Sequence, residues 1–388
     1  MDAAVELNPD GLHYPATVRR RSPNCFTALV EASARSEFGI PSISKAWFSH
    51  SFVHERPGAR VELMDDHRTL CMLFASDLRA ESALPAKLLR YFGIELHEES
   101  FDKFDAVLDV IHESLRAGKL LISPFGACYI KDSLDYGRDY ARLGHLISPV
   151  RLDVARGKLM AIDNMCGSLE VSLEAYAACF AAHQELRVPF KLMQCRRAVT
   201  ARELPLTAHE LRLELEACLF HLYSNKPGEG LGALRAGISD IVDAAERYRV
   251  PLQVHRLWSF SHDRSALEES LEHWTAARIA TAAQLGTLGA LLRKSAASWH
   301  GLFALLQTEA HAWNDETLAD VRAVAQGLLT VEDQTATQLR EIYECLSLQM
   351  NGTLSSAGGV RPADPRFEHA REHPPVLRDE VFAGSQKR

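Results

Sequence analysis

Cys25, His145 and Asp163 are the residue types that make a thiol nucleophile, a proton carrier and a group to orient that carrier. His145 and Asp163 lie in GHLISPVRLDVARGKLMAID, Gly144 to Asp163. The stretch reads as two short strands, 145–152 and Lys158–Asp163, about a polar turn at Asp153–Gly157. Opposed residues of an antiparallel hairpin share a face, so a loop with an odd number of residues brings His145 and Asp163 together. An even loop puts Asn164 there instead. Either partner would hold one imidazole nitrogen and leave the other for proton transfer.

Cys25 is the sulfur best placed to complete the set. In SPNCFTALVEASARSEFGI, Ser22 suits an N-cap, Pro23 suits the first helical position, and Phe26, Leu29, Val30 and Ser33 or Ala34 recur at helical spacing until Gly39. This predicts Cys25 in the first turn of a helix. Unpaired backbone N–H groups and the positive helix end favour a thiolate there, and a nearby imidazolium would add to the effect. A backbone N–H of that turn could also stabilise an oxyanion.

The order Cys25, His145, Asp163, with Cys opening a helix and His and Asp on later strands, is that of papain-like cysteine enzymes. NCFTALVEASARSEFGI resembles the nucleophile helix of the bacteriocin-processing peptidase domains found on peptide exporters. LGHLISPVRLDVARGKLMAIDN resembles their His–Asp hairpin. The chain is still more similar to the butirosin biosynthesis protein H-like family, with GKLLISPFG and then CYIKDSLDYGRDY preceding the hairpin. The likeness covers residues 18–200, and residues 205–350 only as a helical pattern.

That resemblance implies an α+β, papain-like cysteine-enzyme domain followed by an all-α domain. It also implies an acyltransferase of natural-product (antibiotic) biosynthesis that moves an acyl or aminoacyl group from a carrier-protein thioester to an amine. Carried over, Cys25 accepts the acyl group, His145 is base and acid, and Asp163 orients it. The donor's phosphopantetheine arm is then part of the substrate, and no cofactor is expected. Papain-like peptidases usually carry a Gln six residues before the Cys, where this chain has Arg19. A second oxyanion donor could come from Arg19, from Asn24 or from another backbone N–H. A thioester is a more reactive donor than an amide, so weaker oxyanion stabilisation could still serve it.

Length and composition frame these residues. A chain of 388 residues with 47% hydrophobic and 24% charged residues is expected to form two globular domains. A formal net charge of −8 argues against nucleic acid as a general partner. No apolar stretch approaches the roughly 18–20 residues needed to span a membrane, and Met1–Leu12 lacks the apolar core of a signal peptide, so a cytoplasmic protein is expected. The eight cysteines have no short repeated spacing and read as reduced thiols.

Residues 1–17 are expected to be flexible, ahead of Arg19-Arg20-Arg21, whose cations could receive an acidic acyl or peptidyl carrier protein or its phosphopantetheine phosphate. Pro41–Arg68 reads as a loop or lid, in which His50 and His54 lack a third metal ligand. Helices are predicted around Leu84–Phe92, with Pro85 near the start, and over Asp102–Leu115; Leu120–Phe125 reads as a buried strand. The polar segment Tyr129–Tyr140 feeds His145, which makes Tyr129, Tyr136 and Tyr140 candidate substrate contacts beside Arg19, Asn24 and Asn164. A helix from Ser172 to about His183 and a strand over Phe190–Arg196 follow.

Beyond residue 200 strand signals nearly vanish. Thr207 and Glu210 form a capping box for a helix to about Tyr223, NKPGEGLG connects to the next, and helices follow around 231–248, 264–312 (broken) and 315–350. Trp258, Trp274, Trp299 and Trp313 read as core, and residues 352–388 as a disordered tail. Besides acyl transfer, the same three residues would suit a cysteine peptidase, amidase or thioesterase, and a non-catalytic carrier-binding module is the reading from another class.

Overall fold

A computed structural model describes residues 5–6, 25–43, 54–55, 61–63, 70–73, 75–76, 78–131, 133, 136–137, 142–164, 167–198, 207–223, 230–255, 257–277, 279–307 and 313–356. The fold is mixed α+β and mostly helical, with small, mainly antiparallel sheets and a helical C-terminal region. In chain order the elements are β1 (Val5–Glu6), α1 (Cys25–Phe38), β2 (His54–Glu55), β3 (Val61–Leu63), β4 (Leu70–Leu73), β5 (Ala75–Ser76), α2 (Leu78–Phe92), β6 (Ile94–Phe101), α3 (Phe104–Arg116) and β7 (Ser123–Pro124). After a 3₁₀ turn at Ala127–Tyr129 come β8 (Leu146–Asp153), β9 (Lys158–Asp163), β10 (Gly167–Ser172), α4 (Leu173–Glu185) and β11 (Phe190–Arg197). The remainder is α5 (Ala208–Leu222), α6 (Gly230–Tyr248), β12 (Leu252–His255), α7 (Leu257–Ala276), α8 (Ala282–Leu306) and α9 (Asp315–Ser356).

α1 buries Thr27 through Ala34, and its small residues Ala28, Ala32, Ser33 and Ala34 let it lie close against β8, β9 and β11. It stops at Gly39, whose φ of 67° is left-handed, and the Ile40 N–H bonds the Ala34 carbonyl beyond it. The sheet beneath is a β8–β9–β10 meander whose free β8 edge takes both β1 and β7. Ile122, just before β7, exchanges two backbone hydrogen bonds with Met193 and joins the β6–β11 ribbon to that sheet. On the C-terminal side Trp274, Trp299 and Trp313 are buried as core, and Trp299 stacks on Phe260 with centroids 4.6 Å apart.

One cluster of buried apolar side chains includes members from Leu29 to Leu346, and polar contacts link α2 to α5 as well. Arg90 pairs with Glu210, and the Lys87 ammonium donates to Glu214 at 2.6 Å. Within the helical part the fully buried Arg264 guanidinium donates twice to Glu332, at 2.9 and 2.8 Å, and the indole of Trp299 and hydroxyl of Ser295 donate to the same carboxylate.

Several sequence expectations change here. Pro85 lies well inside α2 rather than near its start, and Leu89 of the same helix is 39% exposed. β6 was not legible because its pattern is acidic and exposed along most of its length; β11 supplies the pairing. The stretch predicted as a lid contains β2 and β3, and its other residues lie outside those described, except 41–43. Strand β10 precedes the helix that Ser172 caps. β12 interrupts the helical half, running parallel to β4 with Leu252 opposite Leu70. Helix α9 continues through 352–356, where a tail was expected, and the rest of that tail lies outside the described residues, as do Trp258's side-chain environment and 1–4 with 7–17.

Candidate active site

The α1 helix delivers Cys25 at its first described residue, with the side chain half-buried. Gly144, at φ 89°, turns the chain into His145, whose carbonyl accepts the Phe125 N–H at 2.9 Å. Asp163 ends β9 and is paired through its backbone register with Gly167 of β10. Helix, strand entry and strand end converge. The His145 Nε2 hydrogen-bonds Asp163 Oδ2, and the Cys25 thiol lies within hydrogen-bonding and electrostatic reach of the same imidazole. With Nε2 committed to Asp163, Nδ1 is the nitrogen left for Cys25.

The hairpin loop proves even, because Asp153 pairs with Lys158 around the four residues 154–157. On that register alone Asn164 would share the face of His145. A β-bulge between Pro149 and Arg151 leaves Val150 unpaired, so that Ser148 faces Ile162 and Pro149 faces Ala161. Carried one residue on, Ile147 stands across from Asp163, and His145 lies on that same face two residues away. The two side chains therefore meet diagonally rather than directly opposed, which corrects the expected pairing.

Burial disfavours a charged imidazole, but the hydrogen bonds to Asp163 and Cys25, with the negative charge of both partners, more than offset it. His145 is pushed up to about 10. Asp163 is fully buried, so its interaction with the ring is little screened by solvent. The other sulfurs differ. Burial pushes the Cys179, Cys195 and Cys218 thiols up to about 12. Cys128 is buried too, and Cys345 is exposed on α9. Cys25, Cys128, Cys179, Cys195, Cys218 and Cys345 are free thiols.

The remaining candidates divide. Tyr129 packs its ring on Phe125 at 5.6 Å, and its hydroxyl meets the Arg142 guanidinium, which also donates to Glu185 at 2.7 Å. Tyr136 is exposed, with its N–H bonded to the Ser133 carbonyl. Asn164 is buried, and its Oδ1 accepts no hydrogen bond among the described residues. Arg19, Asn24 and Tyr140, like Arg20, Arg21 and His50, lie outside the described residues. Among the described residues no three His, Cys, Asp or Glu side chains gather to hold a metal, and no helix is long and apolar enough to cross a membrane.

Sequence reasoning missed the packing behind His145. Ser148 Oγ donates to the Leu121 carbonyl, and Ser123 Oγ hydrogen-bonds the hydroxyl of Tyr176 on α4, all of these residues being buried. Serines inside apolar runs, as in LLISPF and LISPV, were the available signal. Compared with known protein families and with curated proteins, the chain matches none.

Proposed function

We propose that this protein is a papain-like cysteine acyltransferase that takes an acyl or aminoacyl group from a carrier-protein thioester and passes it to an amine. The observation that supports it is the continuous set Cys25–His145–Asp163: a half-buried sulfur at a helix start, beside an imidazole whose other nitrogen is held by a buried carboxylate. In the first step the Cys25 thiolate attacks the thioester carbonyl, the C–S bond to the carrier breaks, and His145 returns its proton to the departing thiolate. In the second, the amine attacks the Cys25 acyl group. His145 takes the amine proton, and the Cys25 sulfur leaves as thiolate while the amide forms. Asp163 keeps the ring oriented and stabilises its cation throughout.

A thioester donor suits this site because exchange between like bonds needs little driving force, and the phosphopantetheine arm belongs to the donor. Natural-product assembly in the cytoplasm is the setting in which such carriers and amines meet. A peptidase, amidase or thioesterase would use the same three residues with water as acceptor.

Intact-mass measurement separates these readings. Incubation with acyl-loaded carrier proteins and no acceptor is expected to leave the acyl mass on wild type and none on Cys25→Ala. Adding amines is expected to discharge it. Prompt release of free acid without a persistent adduct would replace transfer by hydrolysis. Tight carrier binding without an adduct from any of a panel of loaded carriers would replace both by a docking role.

A further inference from the structure

His145 sits on a thin support. At its His145 end β8 is paired on the outer edge by the two-residue β7, β1 meeting that edge at Leu152 and Arg151 instead, and Pro124, one of the two β7 residues, has no N–H to give the ladder. The next N–H, of Phe125, donates to the His145 carbonyl itself. Whatever fixes Ser123, which faces Ile147 in register, therefore fixes the backbone that aims the imidazole. Among the described residues, the side chain that reaches Ser123 Oγ is Tyr176. Its ring is fully buried among Phe104, Phe125 and Phe190, at centroid distances of 5.6, 6.2 and 5.9 Å, and its hydroxyl bonds Ser123 Oγ.

We propose that Tyr176 is a positioning residue for the Cys25–His145 pair: its hydroxyl fixes Ser123, and through Ser123 the short strand that carries the backbone of His145. A phenylalanine would fill this aromatic pocket equally well. The hydroxyl is the costly part, since a buried O–H needs a partner, and the partner it has is the residue on which β7 depends. Ser123 Oγ also lies 3.3 Å from the Pro124 carbonyl, so it keeps one acceptor if the phenol oxygen is removed.

The inference rests on the Cys25–His145 pairing of the proposed function, and not on acyl transfer. Alkylation by iodoacetamide at pH 7, in which the thiolate displaces iodide, is to be read at Cys25 by peptide mapping of the full chain, with the exposed Cys345 as internal reference. The His145 titration is followed in parallel by NMR of histidine-labelled protein, assigned with His145→Gln. Among the described residues, Cys25 and Asp163 are the titratable groups that face the ring.

Tyr176→Phe is expected to slow Cys25 about threefold to tenfold while Cys345 is unchanged. It should also move the His145 midpoint from about 10 toward 6.5. Ser123→Ala should reproduce both effects, and the double variant should add nothing to either single one, since both remove one contact. Folded Tyr176→Phe and Ser123→Ala proteins with wild-type Cys25 rate and His145 midpoint would overturn the inference. If Tyr176→Phe does not fold, Ser123→Ala alone carries the same two outcomes. A wild-type Cys25 no faster than Cys345 would instead overturn the pairing underneath, a separate failure.

Discussion

His145 meets Asp163 across a diagonal of the β8–β9 ladder, because the unpaired Val150 restores to Asp163 a face that the four-residue loop would have given to Asn164. The buried carboxylate both bonds Nε2 and supplies a negative charge. Asp163→Asn keeps a polar group of the same shape and removes the charge. Acyl-adduct formation at Cys25 is expected to fall by roughly 10²–10⁴-fold, from loss of tautomer control and of imidazolium stabilisation. Single-turnover mass spectrometry reads the rate; an unchanged rate would remove Asp163 from the mechanism.

Selective reactivity should distinguish Cys25 from its neighbours. At pH 6–7, limited iodoacetamide is expected to label Cys25 first, Cys345 more slowly, and the buried Cys128, Cys179, Cys195 and Cys218 only after unfolding. Peptide mapping at partial labelling tests this order. Faster labelling of Cys345 would show that neither the helix start nor the imidazole activates Cys25.

The raised His145 makes stability fall in alkali. A folded-state value of about 10 against 6.5 in the unfolded chain means the native protein binds the extra proton between these limits. The contribution is therefore complete below pH 6.5 and lost as pH rises through about 10. Urea titrations from pH 6 to 10.5 should show a decline in wild type that His145→Gln lacks. Parallel curves for the two proteins would contradict the protonated imidazole.

Acid should act through a different histidine. His183, in the last turn of α4, is buried against Phe190, and burial lowers its pKa while hydrogen bonding to the backbone at Val188 and Pro189 partly opposes this. Its neutral form is favoured by folding, so stability present above pH 6.5 is lost as pH falls through the depressed folded value. His183→Leu should show a shallower loss of stability than wild type between pH 7 and 4.5. An equally steep acid limb in the variant would assign it to other groups.

The Arg264–Glu332 pair should be costly to halve. Glu332→Leu leaves a buried guanidinium without its counter-charge and strands the Trp299 and Ser295 donors, so a loss of about 3–5 kcal/mol is expected. Replacing both partners, as Arg264→Met with Glu332→Leu, should cost less than the single change. Urea unfolding of the three proteins checks the order; equal losses would mean that the stranded charge is not the cause.

Local signals carried much of the chain. Gly39 ends α1, and Ser172 caps α4 by accepting the Ala175 N–H at 3.1 Å. Thr207 and Glu210 exchange the two hydrogen bonds of a capping box, at 3.0 and 3.2 Å. These features involve residues within a few positions of one another, so the backbone groups that need satisfying and the side chains that satisfy them are written side by side. The apolar runs on either side of the Asp153–Gly157 turn likewise mark β8 and β9.

What the sequence by itself determined is therefore the order of the candidate site residues and the elements that bear them: Cys25 opening a helix, His145 entering a strand, Asp163 ending the next. What only the tertiary structure decided is who meets whom. The choice of Asp163 over Asn164 turns on one bulge, the parallel union of β4 with β12 on packing between segments far apart in the chain, and the grip of Tyr176 on Ser123 on a contact 53 residues long. Such pairings answer to the packed interior, where a one-residue slip turns every side chain of a strand to the other face, and no local propensity records which slip the interior accepts.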